Sequence, residues 1–497
     1  MVLEFFEKYD LKQVRLVSKE WYSLATQSLF DKIYISPRQK DVEVFGRITT
    51  HPVLSHAVKE LVYDTSHFMQ ELGIEDYYDG LDSQVTCVAH SWEHRTFTSP
   101  NPEINEFVED LKKRSAKSMN YQEVRQKHSR DSFIVEGYQL YLEYAKDEQQ
   151  SFQSGMFLSK LCLGLHRLNN LQSVVFNNDL WHYYIVSTPH NIDISSLQCR
   201  TSGSPLVRSW KPFHLRPCGR NSIDVPPSSM ADIYHIIAHA MSVTHRNITR
   251  FQLPTGYQAP GLLAEAFTYS NITDAQMQST LDAFSLLEEL SLQISTDPED
   301  RADHHEPLYL LQTLLAQTVG LKRLSLSLLD EWKYLSIPRY LYTDVFPTVG
   351  SWPKLAELDL TGVAISGHDL LGLINGHANV RLLKLSGIEL TKGTWEGVFT
   401  GMSGARIEDL ILSDDLTHSG GAVFRPSERD PRRSCSKLIK AMEDYVVNGG
   451  RHPCLLPNGD PDAPLCWYLD LFPEKDLKEL IILARQNDFE LPKTYLR

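Results

Sequence analysis

His235 and His239, in the run DIYHIIAH, stand four residues apart. On a helix that is one turn, and two imidazoles so placed could share a metal ion. No Glu completes an H-E-x-x-H pattern and no third ligand is identifiable, while Ile233, Ile236, Ile237 and Ala240 flank the pair, so the better reading is the polar face of an apolar helix. His304, His305 and Glu306 form a second candidate ligand cluster, inside residues 282–306, which hold eight acids and one base, Arg301. A solvated acidic loop is the expectation there, with a basic partner segment as the functional alternative. No G-x-S-x-G elbow, phosphate-binding loop or dinucleotide-binding glycine pattern occurs. The residues point away from a catalyst, and no metal or cofactor is expected.

Composition narrows the classes further. With 49 Lys plus Arg against 63 Asp plus Glu, the 497-residue chain carries a net charge of −14. Such a surface opposes nucleic acid, whose phosphates need basic residues to displace their counterions, and it opposes anionic membranes. Seven cysteines, an odd number with no C-x-x-C pair, read as reduced thiols. The opening MVLEFFEKYDLKQ has acids where a secretory signal has bases, and no stretch reaches the roughly 18 apolar residues of a membrane span. A soluble intracellular protein, cytoplasmic or nuclear, is expected, with the N-I-T sites at Asn247 and Asn271 unglycosylated. The length implies two or three domains or one long repeat array.

The elements that would position any site begin with a helical unit. Asp10 can cap a helix running to about Phe30, with Leu11, Val14, Val17, Trp21 and Leu24 forming an apolar stripe. A carboxylate placed at Val17 is then expected to break the unit, because it would be buried without a partner. A second helix, from about Arg38 to Thr50, ends at His51-Pro52. Residues 103–150 read as one or two amphipathic helices. Five prolines make 200–231 a loop, and 415–436 reads as a mobile polar segment. DLKELIILARQ near the C-terminus would cap whatever precedes it.

Between these lies a recurring motif, aliphatic-x-x-aliphatic-x-aliphatic. Clear copies are Leu287/Leu290/Leu292, Leu321/Leu324/Leu326, Leu355/Leu358/Leu360, Val380/Leu383/Leu385 and Ile407/Leu410/Leu412. Weaker copies are Val58/Leu61/Tyr63, Leu171/Val174/Phe176 and Ile248/Phe251/Leu253. The last two apolar positions are two apart and so face one side of a short strand. Helical runs, LYLLQTLLAQT and HDLLGLINGH, fall between copies. This is the pattern of leucine-rich repeats lengthened by insertions.

The run DLKQVRLVSKEWYSLATQSLF resembles the second half of an F-box, through Asp10-Leu11, Arg15-Leu16-Val17-Ser18, Lys19 and Trp21. The following LFDKIYISPRQKDVEVFGRITTHPVLSHAVKELVYDTSHF, and AMEDYVVNGGRHPCLLPNG near 441–459, are similar to stretches of fungal F-box proteins. Family F-boxes open with a Leu-Pro-x-Glu turn and a first helix; here VLEFFEKY stands as that helix's remnant, which implies a late chain start or lost adaptor binding.

The resemblance implies an α/β protein with an N-terminal helical F-box remnant and an irregular leucine-rich-repeat solenoid. Its divisions would be 1–36 for the F-box, 37–165 for a helical linker and first irregular repeat, 166–415 for the array and 416–497 for a mobile segment and cap. It implies a non-catalytic substrate-recognition subunit of an SCF-type ubiquitin ligase. Leu11, Val14, Leu16, Val17 and Trp21 would serve the Skp-type adaptor and, through it, a cullin; Val17 and Trp21 could equally be core of the helical unit. The array would hold an unidentified protein substrate on its strand face or edge loops. The alternative is a repeat-based scaffold that no longer engages the ligase.

Overall fold

The computed structural model describes residues 8–64, 73–75, 77–78, 102–115, 118–177, 228–244, 248–253, 262–267, 273–295, 308–328, 340–347, 352–413, 416–418, 421–424 and 436–449. The chain is a mixed α/β protein built on parallel sheet, and it divides into two compact units, Met1–Asn247 and Ile248–Arg497.

In the first unit, helices α1 (Lys8–Val14) and α2 (Lys19–Leu29) lead into strand β1 (Lys32–Ile35), α3 (Gln39–Thr50), α4 (Leu54–Ala57) and β2 (Glu60–Asp64). Then come α5 (Pro102–Ser115), α6 (Tyr121–His128), α7 (Ser132–Gln153), α8 (Met156–Arg167), β3 (Ser173–Asn177) and α9 (Ser228–Thr244). The three strands pair in parallel, with Ile33 against Leu61 and Ile35 against Tyr63, then Leu61 against Val174 and Tyr63 against Phe176. All six side chains are buried.

Several sequence expectations are corrected here. The helix read from Asp10 to Phe30 is two helices, because Ser18 takes an extended conformation and its hydroxyl accepts from the Trp21 N–H at 3.2 Å, capping a new helix. Residues 32–35, read as part of a helical unit, are a strand; Phe30-x-x-Ile33-x-Ile35 carries the repeat motif with an aromatic first position. Residues 103–150 hold three helices, since Asn120 and Glu123 close a capping box at the start of α6 and the chain turns again at Ser129–Asp131. Helix α9 begins at Ser228, inside the segment read as a loop, directly after Pro226-Pro227; the rest of that segment lies outside the described residues.

In the second unit the motif leucines lie on strands of one parallel sheet. Its order is β4 (Arg250–Gln252), β6 (Glu289–Ser295), β7 (Arg323–Ser327), β9 (Glu357–Thr361), β11 (Leu382–Ser386) and β13 (Asp409–Ser413), with the short β5 (Leu262–Leu263) also on β6. Leu290, Leu324, Leu358, Leu383 and Leu410 are register partners in turn, as are Leu292, Leu326, Leu360, Leu385 and Leu412, and all ten are buried. Each contributes roughly 1.5–3 kcal/mol by leaving water. Helices α10 (Asp274–Phe284), α11 (Tyr309–Gln317), α13 (Gly367–Gly376) and α14 (Trp395–Met402) close this core between strands, with α12 (Tyr342–Val345) a short turn among them.

The repetition extends to the backbone. One carbonyl ahead of each strand accepts two successive N–H groups from the next: Glu288 from Lys322 and Arg323, Lys322 from Ala356 and Glu357, Ala356 from Arg381 and Leu382, Arg381 from Glu408 and Asp409. Asp31 and Lys59 do the same in the first unit. The Asn379 amide donates to the Pro353 carbonyl at 2.6 Å, and Asn170, at the same place before its motif, donates to the His56 carbonyl at 2.7 Å.

A second sheet, not read from the sequence, follows the first around a corner. Its order is β15 (Gly421–Phe424), β14 (Leu416–His418), β12 (Glu389–Lys392), β10 (Val363–Ser366) and β8 (Tyr340–Leu341), parallel except for the β14–β15 hairpin. That hairpin lies within the segment read as mobile, where buried Leu416 anchors it; residues 425–435 lie outside the described residues. The described cap at this end is α15 (Ser436–Asn448), which seats Met442 and Val446 and accepts the Leu412 N–H on Glu443 at 3.3 Å, satisfying part of the β13 edge. DLKELIILARQ lies outside the described residues.

Candidate functional site

The N-terminal helix pair has a small core of Leu11, Ala25 and Leu29, with Val14 and Phe30 packed on it. Leu11 is therefore buried and Val14 half-buried, so these two support the unit from within. The remaining expected residues point out. Leu16 is 81% exposed, Val17 70% and Trp21 39%, joined by Leu24 at 51% and Tyr22 at 49%. The single stripe expected for Leu11, Val14, Val17, Trp21 and Leu24 does not form, because the turn at Arg15–Val17 breaks the helical phase between the first two and the last three. A carboxylate at Val17 would meet solvent, so the expectation that it breaks the unit is withdrawn.

Arg15 stands in the turn between α1 and α2. Its guanidinium lies over the Tyr22 ring, 4.9 Å from the centroid, and 5.9 Å from that of Phe30. Its Nε–H is buried and meets no acceptor among the described residues. Ser18 beside it is half-exposed and donates to Glu20 at 3.3 Å.

His235 and His239 both lie on α9, but His235 is buried and His239 exposed. Burial pulls the His235 imidazole down to about 4, which keeps it neutral at pH 7, and its ring lies edge-on to Tyr234. Among the described residues no group of three or more His, Cys, Asp or Glu is arranged to hold a metal, and His304, His305 and Glu306 lie outside them. No helix among the described residues is long and apolar enough to cross a membrane.

The outward strand face of the second unit is mostly polar, with Leu382 and Ile411 the apolar members of its rows on β11 and β13. Its first row, Arg250, Glu289, Arg323 and Glu357, alternates in sign across four registered strands, with Arg250–Glu289 at 2.6 Å and Arg323–Glu357 at 2.9 Å. This ladder satisfies itself and, being exposed, adds little stability. The next row holds Ser291, Ser325, Asp359 and Lys384. Burial pushes the Asp359 carboxyl up, against the opposing pull of Lys384 and Ser325.

An ionic cluster in the first unit, centred on buried Asp110 and His128, escaped sequence reading. Asp110 on α5 accepts from Lys113 and Lys127, each at 2.6 Å, and from His128 at 3.0 Å, while His128 also meets Asp131 at 2.7 Å. Its members come from α5, α6 and the turn after it, separations no local motif reports. It ties helices together, and both ring nitrogens of His128 are engaged within it. No protein-family model matches the chain, and no curated protein matches it.

Proposed function

We propose that the protein is the substrate-recognition subunit of an SCF-type ubiquitin ligase. Its F-box-like N-terminal helices would meet a Skp-type adaptor and, through it, a cullin, while its leucine-rich-repeat-like strands would hold a protein substrate. One observation carries the reading: within nine residues of the F-box-like run, five large apolar side chains, Leu16, Val17, Trp21, Tyr22 and Leu24, face solvent. Clustered exposed apolar surface marks interaction sites. The repeated strand registers and self-neutralised charge ladder suit an array that displays a surface rather than a catalytic centre.

The test is co-purification of the full chain with the Skp-type adaptor and cullin, beside Val17→Asp and Leu11→Ala. Val17→Asp should leave the melting curve nearly unchanged, since exposed substitutions stay within about 0.5 kcal/mol, yet lose the adaptor at least tenfold. Leu11→Ala should lower stability and adaptor recovery together. A folded wild-type chain that retains no adaptor refutes the proposal.

A further inference from the structure

We infer that Ser18 is a phosphorylation site for a kinase that selects arginine three residues before its target, and that the phosphate closes the apolar docking surface around it. The site stands on its own geometry; the effect on docking rests on the function proposed above.

Three observations converge on Ser18. Arg15-Leu16-Val17-Ser18 places a guanidinium at the spacing that charge-selective kinases read. The stretch lies in the turn between two helices, with Leu16 and Val17 open to solvent and Ser18 itself extended at φ −156°, ψ 170°, so a kinase need open only the hydrogen-bonded turn Arg15–Val17 to hold it extended up to Ser18. Finally, the buried Arg15 Nε–H has no acceptor among the described residues, although its guanidinium is held in place over Tyr22. An arginine that is positioned but has a donor left over suits an anion arriving nearby.

The reaction is phosphoryl transfer. The Ser18 Oγ attacks the γ-phosphorus of ATP in the kinase, the Oγ–P bond forms as the bond to the ADP oxygen breaks, and the hydroxyl proton passes to the kinase base. The product carries about −1.5 to −2 charges at neutral pH. Ser18 caps α2, so the new oxygens meet the N–H groups and positive end of that helix, with Lys19 next in the chain, Arg15 three residues before and Glu20 opposing. The helix would stay formed. The same charge would sit among Leu16, Val17 and Trp21, where a partner burying those side chains must strip its water.

Full-length protein treated with ATP and the catalytic subunit of a cyclic-AMP-dependent kinase, a basophilic enzyme, tests both parts. Tandem mass spectrometry should find phosphate on Ser18, at least tenfold slower in Arg15→Gln and absent in Ser18→Asn, which keeps a capping oxygen without a phosphorylatable hydroxyl. The phosphorylated chain should retain at least tenfold less adaptor than the untreated chain, with Ser18→Asn unaffected by treatment. Phosphate elsewhere but none on Ser18 overturns the site. Phosphate on Ser18 with undiminished adaptor overturns the blocking role. An untreated chain that binds no adaptor removes the proposed function, while the labelling result still decides the site.

Discussion

The imidazole of His377 stacks on the indole of Trp352, ring centroids 5.1 Å apart and planes 25° from parallel. The two stand three positions before Leu355 and Val380, the first apolar residues of successive motif copies. One repeat thus hands its aromatic to the next at a fixed place. Trp352 also donates from Nε1 to the Leu315 carbonyl at 2.9 Å, reaching back past α12 to α11.

Trp352→Ala should therefore cost roughly 3–5 kcal/mol, the range for removing a buried large aromatic. Chemical denaturation of the full chain checks this. A loss below about 1 kcal/mol, the level of ordinary substitutions, would show that the indole does not join the repeats.

Asp110 sets a pH-dependent contribution. Burial alone pushes its carboxyl up, but hydrogen bonds from Lys113, Lys127 and His128 outweigh it and hold the group well below the usual carboxylate range. A depressed folded pKa stabilises fully above the unfolded value of about 3.9 and is lost as pH falls through the folded value. Asp110→Asn removes the buried charge that Lys113, Lys127 and His128 share, and because both lysines reach solvent and His128 keeps Asp131 it should cost roughly 1–3 kcal/mol at pH 7. Its stability should fall less steeply on acidification below pH 4 than the wild type's, as read from denaturant midpoints across pH. Equal midpoints at neutral pH would sink this account.

How much of this was legible follows from the range of each interaction. The strands at Leu290, Leu324, Leu358, Leu383 and Leu410 announce themselves because the six-residue motif is local and its period of two survives insertions. The second sheet was missed because its strands are short and follow their predecessors closely, Val363–Ser366 after Gly362 and Glu389–Lys392 after Gly387-Ile388. The stripe through Val17 failed because the Ser18 cap interrupts a pattern that still counts correctly along the sequence. Asp110 and His128 were invisible for a different reason: their pairing depends on how α5 and α6 pack, and neither residue is unusual in its own neighbourhood.

Glycine packing predicts opposite outcomes for one substitution. A Cβ at Gly164 of α8 would collide with the Phe45 ring, which is fully buried and cannot yield, whereas a Cβ at Gly46 of α3 meets nothing within 4 Å. Gly164→Ala should cost about 1–3 kcal/mol by overpacking. Gly46→Ala should gain about 0.5–1 kcal/mol, because alanine loses less backbone freedom in a helix. Melting temperatures of the two variants moving the same way would contradict the α3–α8 packing.

The corner between the two sheets is built on left-handed backbone. Gly362 and Gly387 follow β9 and β11 at φ 70° and 57°, at the same place in successive repeats, and the Gly362 N–H donates to the Ser386 carbonyl at 2.9 Å. A side chain there brings Cβ against the following carbonyl, a strain of roughly 1–2 kcal/mol that asparagine partly escapes by local hydrogen bonding. Gly362→Ala and Gly387→Ala should each destabilise by that amount, with the corresponding asparagine variants falling between alanine and glycine. The double alanine variant should lose nearly the sum or somewhat more, because the two corners are neighbours on registered strands and strain at one limits relief at the other. Differential scanning calorimetry of the set checks the order, and alanine matching glycine at both positions would mean that the chain does not turn this corner through left-handed residues.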